Sequence, residues 1–560
     1  MVHLSQTPTK HTPNESPPRS SASTSRSLLS NVTIWLLAPI TISLLISVHT
    51  WNHWHAEVSD LLHPSQPQSF ASSRPSGVFP VTYCTECSDG TTKNTKRISL
   101  DLVSAQPGRH REPDVTAVIL NWSRLPNVIH IATLLCGSLL EDVIAEVFIW
   151  NNSPHKLSTD LFAEAGCPVH KLRIYNSPSN LYFQARFLAC EQASSQLCFI
   201  QDDDYLILPE VIHALRARIG EASGPTNLHL LPPHELLSSQ LRVIHTDVGV
   251  HTSFAWLGHG VMIHKPLASS FLSLIHHLNA SDAEVKMADN YFTILSNRIP
   301  ETWFDQGIEL GGGQPFTVGV EGDERNKRHI VQAGHYLDQL LISNDSKGFS
   351  NVNQADSSIQ EITAQAPCAG AVCLVETNIH ILPDTLEHSC VSAADMLMLE
   401  ERNARALGED RKAHYLAYPL SNAVDGSTDT AFRSPNISKE GDFISIDMFS
   451  ALGSGWKMLE MAWLIDADTE QILQASDFEY AMDSSRWAPM GHELACVDTD
   501  VPDTQSALEV RYLRECSIVM PSDASSARLF RARLKESLDM HWRVYEVWLR
   551  GVWSLEWTST

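Results

Sequence analysis

From Asp114 onward the chain alternates two patterns. Short apolar runs, VTAVILNW (Val115–Trp122), EVFIWNNS (Glu146–Ser153) and LCFIQDDD (Leu197–Asp204), are separated by segments of helical length such as NVIHIATLLCGSLL. Strands alternating with helices in this way predict an α/β domain with a mostly parallel sheet. Upstream, VTIWLLAPITISLLISV (Val32–Val48) is uncharged and close to the lower limit of about 17 residues for a membrane-spanning helix. The residues before it are rich in Ser, Thr and Pro without apolar periodicity, and those after it are rich in Ser, Pro, Gln and Gly. A Ser, Asn, Gln and Ala-rich stretch follows the α/β pattern, and a β-like, Trp-containing region follows that. The organisation this predicts is a disordered tail over 1–31, a transmembrane helix over 32–50, a stem over 51–113, an α/β domain over 114–342, a linker over 343–383 and an all-β body over 384–560.

Basic residues precede the apolar run (Lys10, Arg19, Arg26) and Trp51 and Trp54 follow it, so the positive-inside rule predicts a type II anchor with the body lumenal. A short span suits the thinner membranes of the endoplasmic reticulum or Golgi. The formal net charge of -25 over 560 residues disfavours nucleic acid as a partner. Eleven cysteines in an oxidising compartment are disulfide candidates, and an odd number leaves at least one unpaired within the chain. The lone Cys84/Cys87 CxxC reads as a structural disulfide of the stem. Sequons after the anchor lie at Asn121, Asn151, Asn279, Asn344 and Asn436.

In a mostly parallel sheet, ligands collect outside the carboxyl ends of the strands. The three runs end there in polar residues: Asn121 and Arg124, then Asn151 and Asn152, then Asp202, Asp203 and Asp204. Three carboxylates after a buried strand repel one another and call for a cation. Mn(II) or Mg(II) typically takes one or two carboxylates together with phosphate oxygens, so the pattern suits a nucleotide diphosphate, with a nucleotide sugar the fitting donor in the secretory pathway. The same placement makes Asn121 and Asn151 poor glycan acceptors. Each Asn taken singly is more often a turn or helix cap.

The ordered series NWSRLPNV, VFIWNNSP, CFIQDDDYLI, SFAWLGHGVMIHKPLASSFLSLI and MADNYFTILSNRIPE resembles the exostosin-type glycosyltransferases over roughly Asp114 to Asn344. The resemblance implies a GT-A catalytic domain and metal-dependent, retaining transfer from a UDP-sugar, as a hexosyl- or N-acetylhexosaminyltransferase. It places the metal-binding acidic triplet on Asp202, Asp203 and Asp204, with Asp204 and Asp202 touching the ion. It places a nucleotide-contacting Asn at Asn180 and an Arg near the uridine at Arg124. The family's acidic pair falls on Ala288 and Asp289, so one carboxylate is missing and Asp289 alone stands near the reacting sugar carbon. A basic group for the pyrophosphate falls on Arg325 or Arg328. Asp289 as a helix cap, and Arg325 and Arg328 in a solvated loop, are the plainer readings. His259 and His264 lie near the acceptor side, and GGGQ (Gly311–Gln314) reads as a flexible loop.

In the last third, NAVDGSTDTAFRSP, GDFISIDM, SSRWAPM and HWRVYEVWL resemble discoidin-type jelly-roll modules over about Asp384 to Trp553. That resemblance makes Asp425 and Asp429 candidates for a structural Ca(II). Trp456, Trp463 and Trp487 are candidates for stacking on a sugar, against the commoner reading of core aromatics. The expectation is a membrane-anchored glycosyltransferase acting on a glycan or glycoconjugate. A catalytically silent lectin or scaffold is the chief alternative, supported by Ala288, and a nucleotide-sugar phosphotransferase or hydrolase is a third.

Overall fold

The computed structural model describes the backbone of 78–84 and 95–98, and residues 112–221, 224–246, 249–305, 307–311, 320–342, 363–449, 456–483, 486–491, 493–503, 512–521, 524 and 527–553. The expected tail and anchor, most of the stem, Cys87, Asn344 and Gly312–Gln314 lie outside the described residues. Among the described residues no helix is long and apolar enough to cross a membrane.

Within the expected stem lie β1 (Val78–Cys84) and β2 (Thr95–Ile98). The α/β body then runs β3 (Val115–Asn121), α1 (Leu125–Cys136), β4 (Ile144–Asn151), β5 (Leu172–Asn176), α2 (Gln184–Glu191), β6 (Leu197–Gln201), β7 (Tyr205–Leu206) and α3 (Pro209–Ile219). It continues β8 (Asn227–Leu231), α4 (Pro233–Leu241), β9 (Ile244–His245), β10 (His251–Thr252), β11 (Gly260–His264), α5 (Lys265–His277), α6 (Asp282–Lys286), α7 (Asp289–Leu295), β12 (Glu301–Phe304), β13 (Ile308–Glu309) and α8 (Val320–Ile342). The expected α/β architecture is present. β6 and β8 are buried at every position and β3 at all but Leu120, as continuous apolar runs require. Proline in the first turn of α1, α3, α4 and α5 starts each helix where its missing N–H costs nothing.

The sheet order is β12-β8-β11-β6-β3-β4-β5. Counted in chain order within this sheet, that is 3-2-1-4-6-5-7, with β11 antiparallel to both neighbours and the other pairs parallel. Because β11 runs backwards, its start lies at the same edge as the ends of β3, β4, β6, β8 and β12. That edge is the functional rim, and the order turns back on itself between β3 and β6.

The C-terminal region is built of antiparallel sheets, as expected, but its boundaries differ. β14 (Ala364–Pro367) and β15 (Leu374–Thr377) form a hairpin inside the expected linker, closed by the Cys368–Cys373 disulfide. Residues 384–431 are not sheet: α9 (Met396–Ala417) packs Met396 and Leu399 into the α/β core and Leu407 against Leu237 and Leu241 of α4. The helical spacing of Met396, Leu399, Asn403 and Leu407, all buried, accounts for it. The remaining elements are β16 (Phe432–Arg433), β17 (Phe443–Asp447), β18 (Trp456–Ile465), α10 (Ala467–Gln474), β19 (Ser476–Ala481), β20 (Trp487–Pro489), β21 (Ala495–Pro502), β22 (Tyr512–Val519), β23 (Leu529–Leu534) and β24 (Arg543–Trp553). One sheet is ordered β2-β1-β24-β18-β22-β21 with β16 on β24, and the other β14-β15-β17-β23-β19-β20. Trp463, Phe530 and Trp542 share their core. β1 pairs in parallel with β24, so part of the expected stem completes this sheet.

The two bodies are joined by polar contacts at a buried seam. Trp303 Nε1 donates to Glu301 Oε1 at 3.0 Å and to Gln365 Oε1 at 3.1 Å, and the Gly370 amide donates to Glu210 Oε1 at 2.8 Å. Arg528 bridges Asp447 of β17 to Glu221 after α3. Arg528→Ala leaves these two part-buried carboxylates without their shared cation, so we expect a loss of about 1–3 kcal/mol in urea unfolding.

His229 on β8 is fully buried, its Nδ1 2.9 Å from the Trp256 carbonyl and its Nε2 without a hydrogen-bond partner. Burial pushes its pKa down to about 4. The unfolded chain therefore binds the extra proton first, and the stability held above pH 6.5 falls as pH drops toward 4, by at most about 3 kcal/mol. Unfolding curves at pH 7 and pH 5 should show the loss, and His229→Asn should reduce it.

Candidate active site at the strand ends

Asp202, Asp203 and Asp204 leave the end of β6 at the rim and turn into β7. β13 pairs with β7, and the Leu310 amide donates to the Asp204 carbonyl at 2.8 Å, so the turn is held from both sides. The Asp203 carbonyl accepts from Asn127 Nδ2 at 2.8 Å, and the same amide reaches the Gly311 carbonyl at 2.9 Å. Of the expected GGGQ loop, Gly311 is thereby tied to α1.

Two arginines face the three carboxylates. Arg124, at the start of α1, lies 2.9 Å from Asp203 Oδ1 and 3.5 Å from Asp204 Oδ2. Arg186, on α2, is 1% exposed and pairs with Asp202 through one terminal nitrogen and with Asp289 through the other. The balance remains short of positive charge. Burial, then the charge of Asp202, pushes Asp203 up to about 7 against the pull of Arg124. The same two causes push Asp204 up to about 6. The side chains of Asp202 and Asp204 are the more open, at 27% and 33% exposure against 12% for Asp203. Gly258 packs closely here: a Cβ on it would come 2.6 Å from Asp202 Oδ2, while its carbonyl accepts from the Asp202 amide.

The asparagines divide by role. Asn151 is fully buried; its Nδ2 donates to the His155 carbonyl and to Asn176 Oδ1, both at 2.8 Å, and its Oδ1 accepts from Asn121 Nδ2 at 2.7 Å. Its amide is spent on the strand-end loops, which displaces the expected ligand contact and also rules against a glycan there. Asn152 holds the turn before α2, accepting from the Leu181 amide and donating to the Tyr182 carbonyl, both at 3.2 Å. Asn180 Oδ1 accepts from the Tyr182 amide at 2.8 Å in the same turn. These two place α2, and with it Arg186.

Asp289 differs most from expectation. It begins α7, but it does not cap that helix; its carboxylate is 1% exposed beneath Arg186, with Oδ1 lacking a hydrogen-bond partner. Ala288 is likewise buried. Arg325 and Arg328 lie on the first turns of α8, Arg325 part-buried and Arg328 exposed. They flank His329, whose Nδ1 is 2.7 Å from the Tyr291 hydroxyl of α7.

On the other half of the rim lies a group that sequence reasoning did not assemble. His259, 4% exposed just before β11, has Nε2 3.0 Å from Asp305 Oδ2 after β12, and its ring centroid is 4.5 Å from that of Tyr205. Gly307, at φ +59°, passes over it where a Cβ would approach to 3.1 Å. Glu235, in the first turn of α4, is pushed up to about 7 by burial. His264 ends β11 at the opposite edge of the sheet, away from this group.

Among the described residues no three His, Cys, Asp or Glu side chains converge as a complete metal cage. The donor set at the rim fits a hard divalent ion that takes one or two carboxylates, Asp204 and Asp202, and completes its shell with ligand oxygens and water. The raised pKa values of Asp203 and Asp204 mark the charge such an ion would neutralise. In the β body, Asp425 accepts from the Ser427 amide at 2.8 Å and the Thr430 hydroxyl at 2.6 Å, and burial pushes its pKa up. Asp429 is exposed, its amide donating to Ser427 Oγ at 3.2 Å. Trp463 is sealed in the core, and Arg531 lies 3.8 Å over the Trp487 ring. The side chain of Trp456 lies outside the described residues.

No family model matches the chain, and neither does any curated protein. Solved structures do. TarS 1-349 of S. aureus in complex with UDP is 13% identical, over 43% of this chain and 73% of that one, with a TM-score of 0.26. The mannosyltransferase PcManGT of Pyrobaculum calidifontis, in complex with GDP-Man and Mn2+, is 13% identical over 57% and 81%, with a TM-score of 0.26. Glucosyl-3-phosphoglycerate synthase of Mycobacterium tuberculosis, in complex with UDP, is 13% identical over 46% and 88%, with a TM-score of 0.26.

Arg186 is the residue on which the site is strung. Arg186→Ala leaves Asp289 buried and uncompensated, so we expect a loss of about 3–5 kcal/mol in urea unfolding. Arg186→Met combined with Asp289→Leu should recover a large part of it, because the buried charge then leaves with its partner.

Proposed function

We propose that the chain is a metal-dependent glycosyltransferase of GT-A type that moves a sugar from a UDP-sugar to a glycan or glycoconjugate acceptor. The observation that carries this reading is the run of three aspartates at the end of buried β6, set at the turn-back of the strand order and short of positive charge despite two arginines. Asp204 and Asp202 would hold Mn(II) or a similar ion, which when bound neutralises the diphosphate of the leaving group. Arg124, beside β3, would meet the nucleotide, and Arg325 or Arg328, at the start of α8, would meet the pyrophosphate. The missing acid at Ala288 does not by itself favour a silent protein, since the position is buried against the core. Asp289 is assigned a positioning role through Arg186. Residence in the Golgi or endoplasmic reticulum as a type II membrane protein, with the body lumenal, is the setting proposed for this activity.

The test is UDP release by the soluble body across a panel of UDP-sugars. Turnover should require Mn(II), stop with EDTA, and fall at least about 100-fold in Asp204→Ala while the variant stays folded. Metal-independent turnover, or none with any donor, would return the aspartates to a structural role and favour a lectin or scaffold.

A further inference from the structure

Five sequons follow the apolar run, and the structure sorts them. Asn121 is 2% exposed and donates its Nδ2 to Asn151 Oδ1, and Asn151 is itself fully buried. Asn436 is half-buried, and the Ser438 that completes its sequon is sealed, its hydroxyl donating to the Leu538 carbonyl at 3.3 Å. Asn279 is different: both it and Ser281, the third residue of its sequon, are exposed.

The local backbone accounts for that exposure. α5 ends in the paired bonds of a Schellman motif, the Ala280 amide donating to the Ile275 carbonyl at 3.3 Å and the Asn279 amide to the His276 carbonyl at 3.0 Å. Asn279 is the left-handed residue of that motif, at φ +51°, a conformation that Asn adopts more readily than most residues with a side chain. Two residues later Ser281 caps α6: its Oγ accepts from the Glu284 amide at 3.4 Å, and the Glu284 carboxylate accepts from the Ser281 amide at 2.6 Å. Two caps placed back to back satisfy the backbone of the turn, so a substituent on the Asn279 side chain leaves both in place. A separate observation concerns the compartment. The disulfides Cys136–Cys167, Cys190–Cys198, Cys368–Cys373 and Cys496–Cys516 are those of a chain that matures where thiols are oxidised, the setting in which N-linked glycans are attached.

We propose that Asn279 is a site of N-linked glycosylation, while Asn121 and Asn151 stay bare. The inference rests on the lumenal placement proposed above and is independent of the transferase reading. In the step, Nδ2 of Asn279 bonds to the anomeric carbon of the terminal sugar of a lipid-linked oligosaccharide and loses one proton. The bond from that carbon to the pyrophosphate oxygen breaks, and its electron pair leaves with the lipid pyrophosphate. Attachment precedes folding, so a chain given a glycan at Asn121 or Asn151 would have to bury it at the strand ends, and the folded molecules are those without one. The Asn279 side chain already lies in solvent, so a glycan there displaces no packing.

The experiment expresses the full chain in eukaryotic cells with a flexible tail bearing one Asn-Gly-Thr sequon fused after Thr560, as an internal control for lumenal exposure. N-glycosidase F in heavy-oxygen water converts each glycosylated Asn to labelled Asp, and peptide mass spectrometry reads the positions. Label is expected at Asn279 and in the tail, and not at Asn121 or Asn151. Asn279→Gly, which suits the left-handed turn, should lose one step of the gel-mobility shift while remaining folded. Ser281→Thr, which keeps both the sequon and the cap, should keep that step. A labelled tail with Asn279 unlabelled would overturn the inference and leave the lumenal placement standing. Label at Asn121 or Asn151 in the folded protein would also overturn it. A tail without label would overturn the inference and the lumenal placement together.

Discussion

Three carboxylates at the end of a buried strand set the terms for the rest of the α/β body. Desolvation and mutual repulsion would make Asp202, Asp203 and Asp204 untenable without cations, and the fold supplies two guanidinium groups from different directions. Arg124 comes from the turn between β3 and α1. Arg186 comes from α2, held by the Asn152 and Asn180 turn before it and by the Cys190–Cys198 disulfide that ties α2 to β6. Because Arg186 also neutralises Asp289, the start of α7 is joined to the end of β6 through one side chain. In a rim built this way the charges are held by fixed partners, the arrangement electrostatic preorganisation calls for.

The mixed sheet divides that rim into halves of different chemistry. The parallel side ends in asparagines that knit the strand-end loops together, with Arg124 at its centre. The side containing antiparallel β11 joins His259 to Asp305, with Tyr205 against the His259 ring. The aspartates stand at the boundary between these halves. The C-terminal sheets are joined to this body by Arg528, Trp303 and the Gly370–Glu210 contact, and α9 buries its apolar face on α4 and the α/β core. The site is thus backed by a second layer of structure.

Much of this was legible in the chain. Continuous apolar runs announced the buried strands, and their polar ends announced the rim, because side-chain chemistry changes abruptly where a buried strand meets solvent. Arg186 was not legible: within QARFLACE its charge looks like any polar helix position, and only the fold reveals that it is 1% exposed between two carboxylates. Asp305 was hidden as well: His259 stood out as a residue, but 46 positions separate it from the carboxylate it meets. The burial of Asp289 under Arg186 was not legible either, because a residue's place in a motif says nothing about which neighbour covers it.

Whether the aspartate run holds a divalent ion together with a diphosphate can be read directly. Titration of the soluble body with Mn(II), followed by electron paramagnetic resonance with and without UDP, separates bound from free ion. The account predicts weak binding of Mn(II) alone, because the two arginines already compete for the carboxylates, and binding of one ion tightened at least about tenfold by UDP, whose oxygens complete the shell. Mn(II) that stays free in the presence of UDP, or that binds equally well with Asp202 and Asp204 both replaced by Asn, would contradict it.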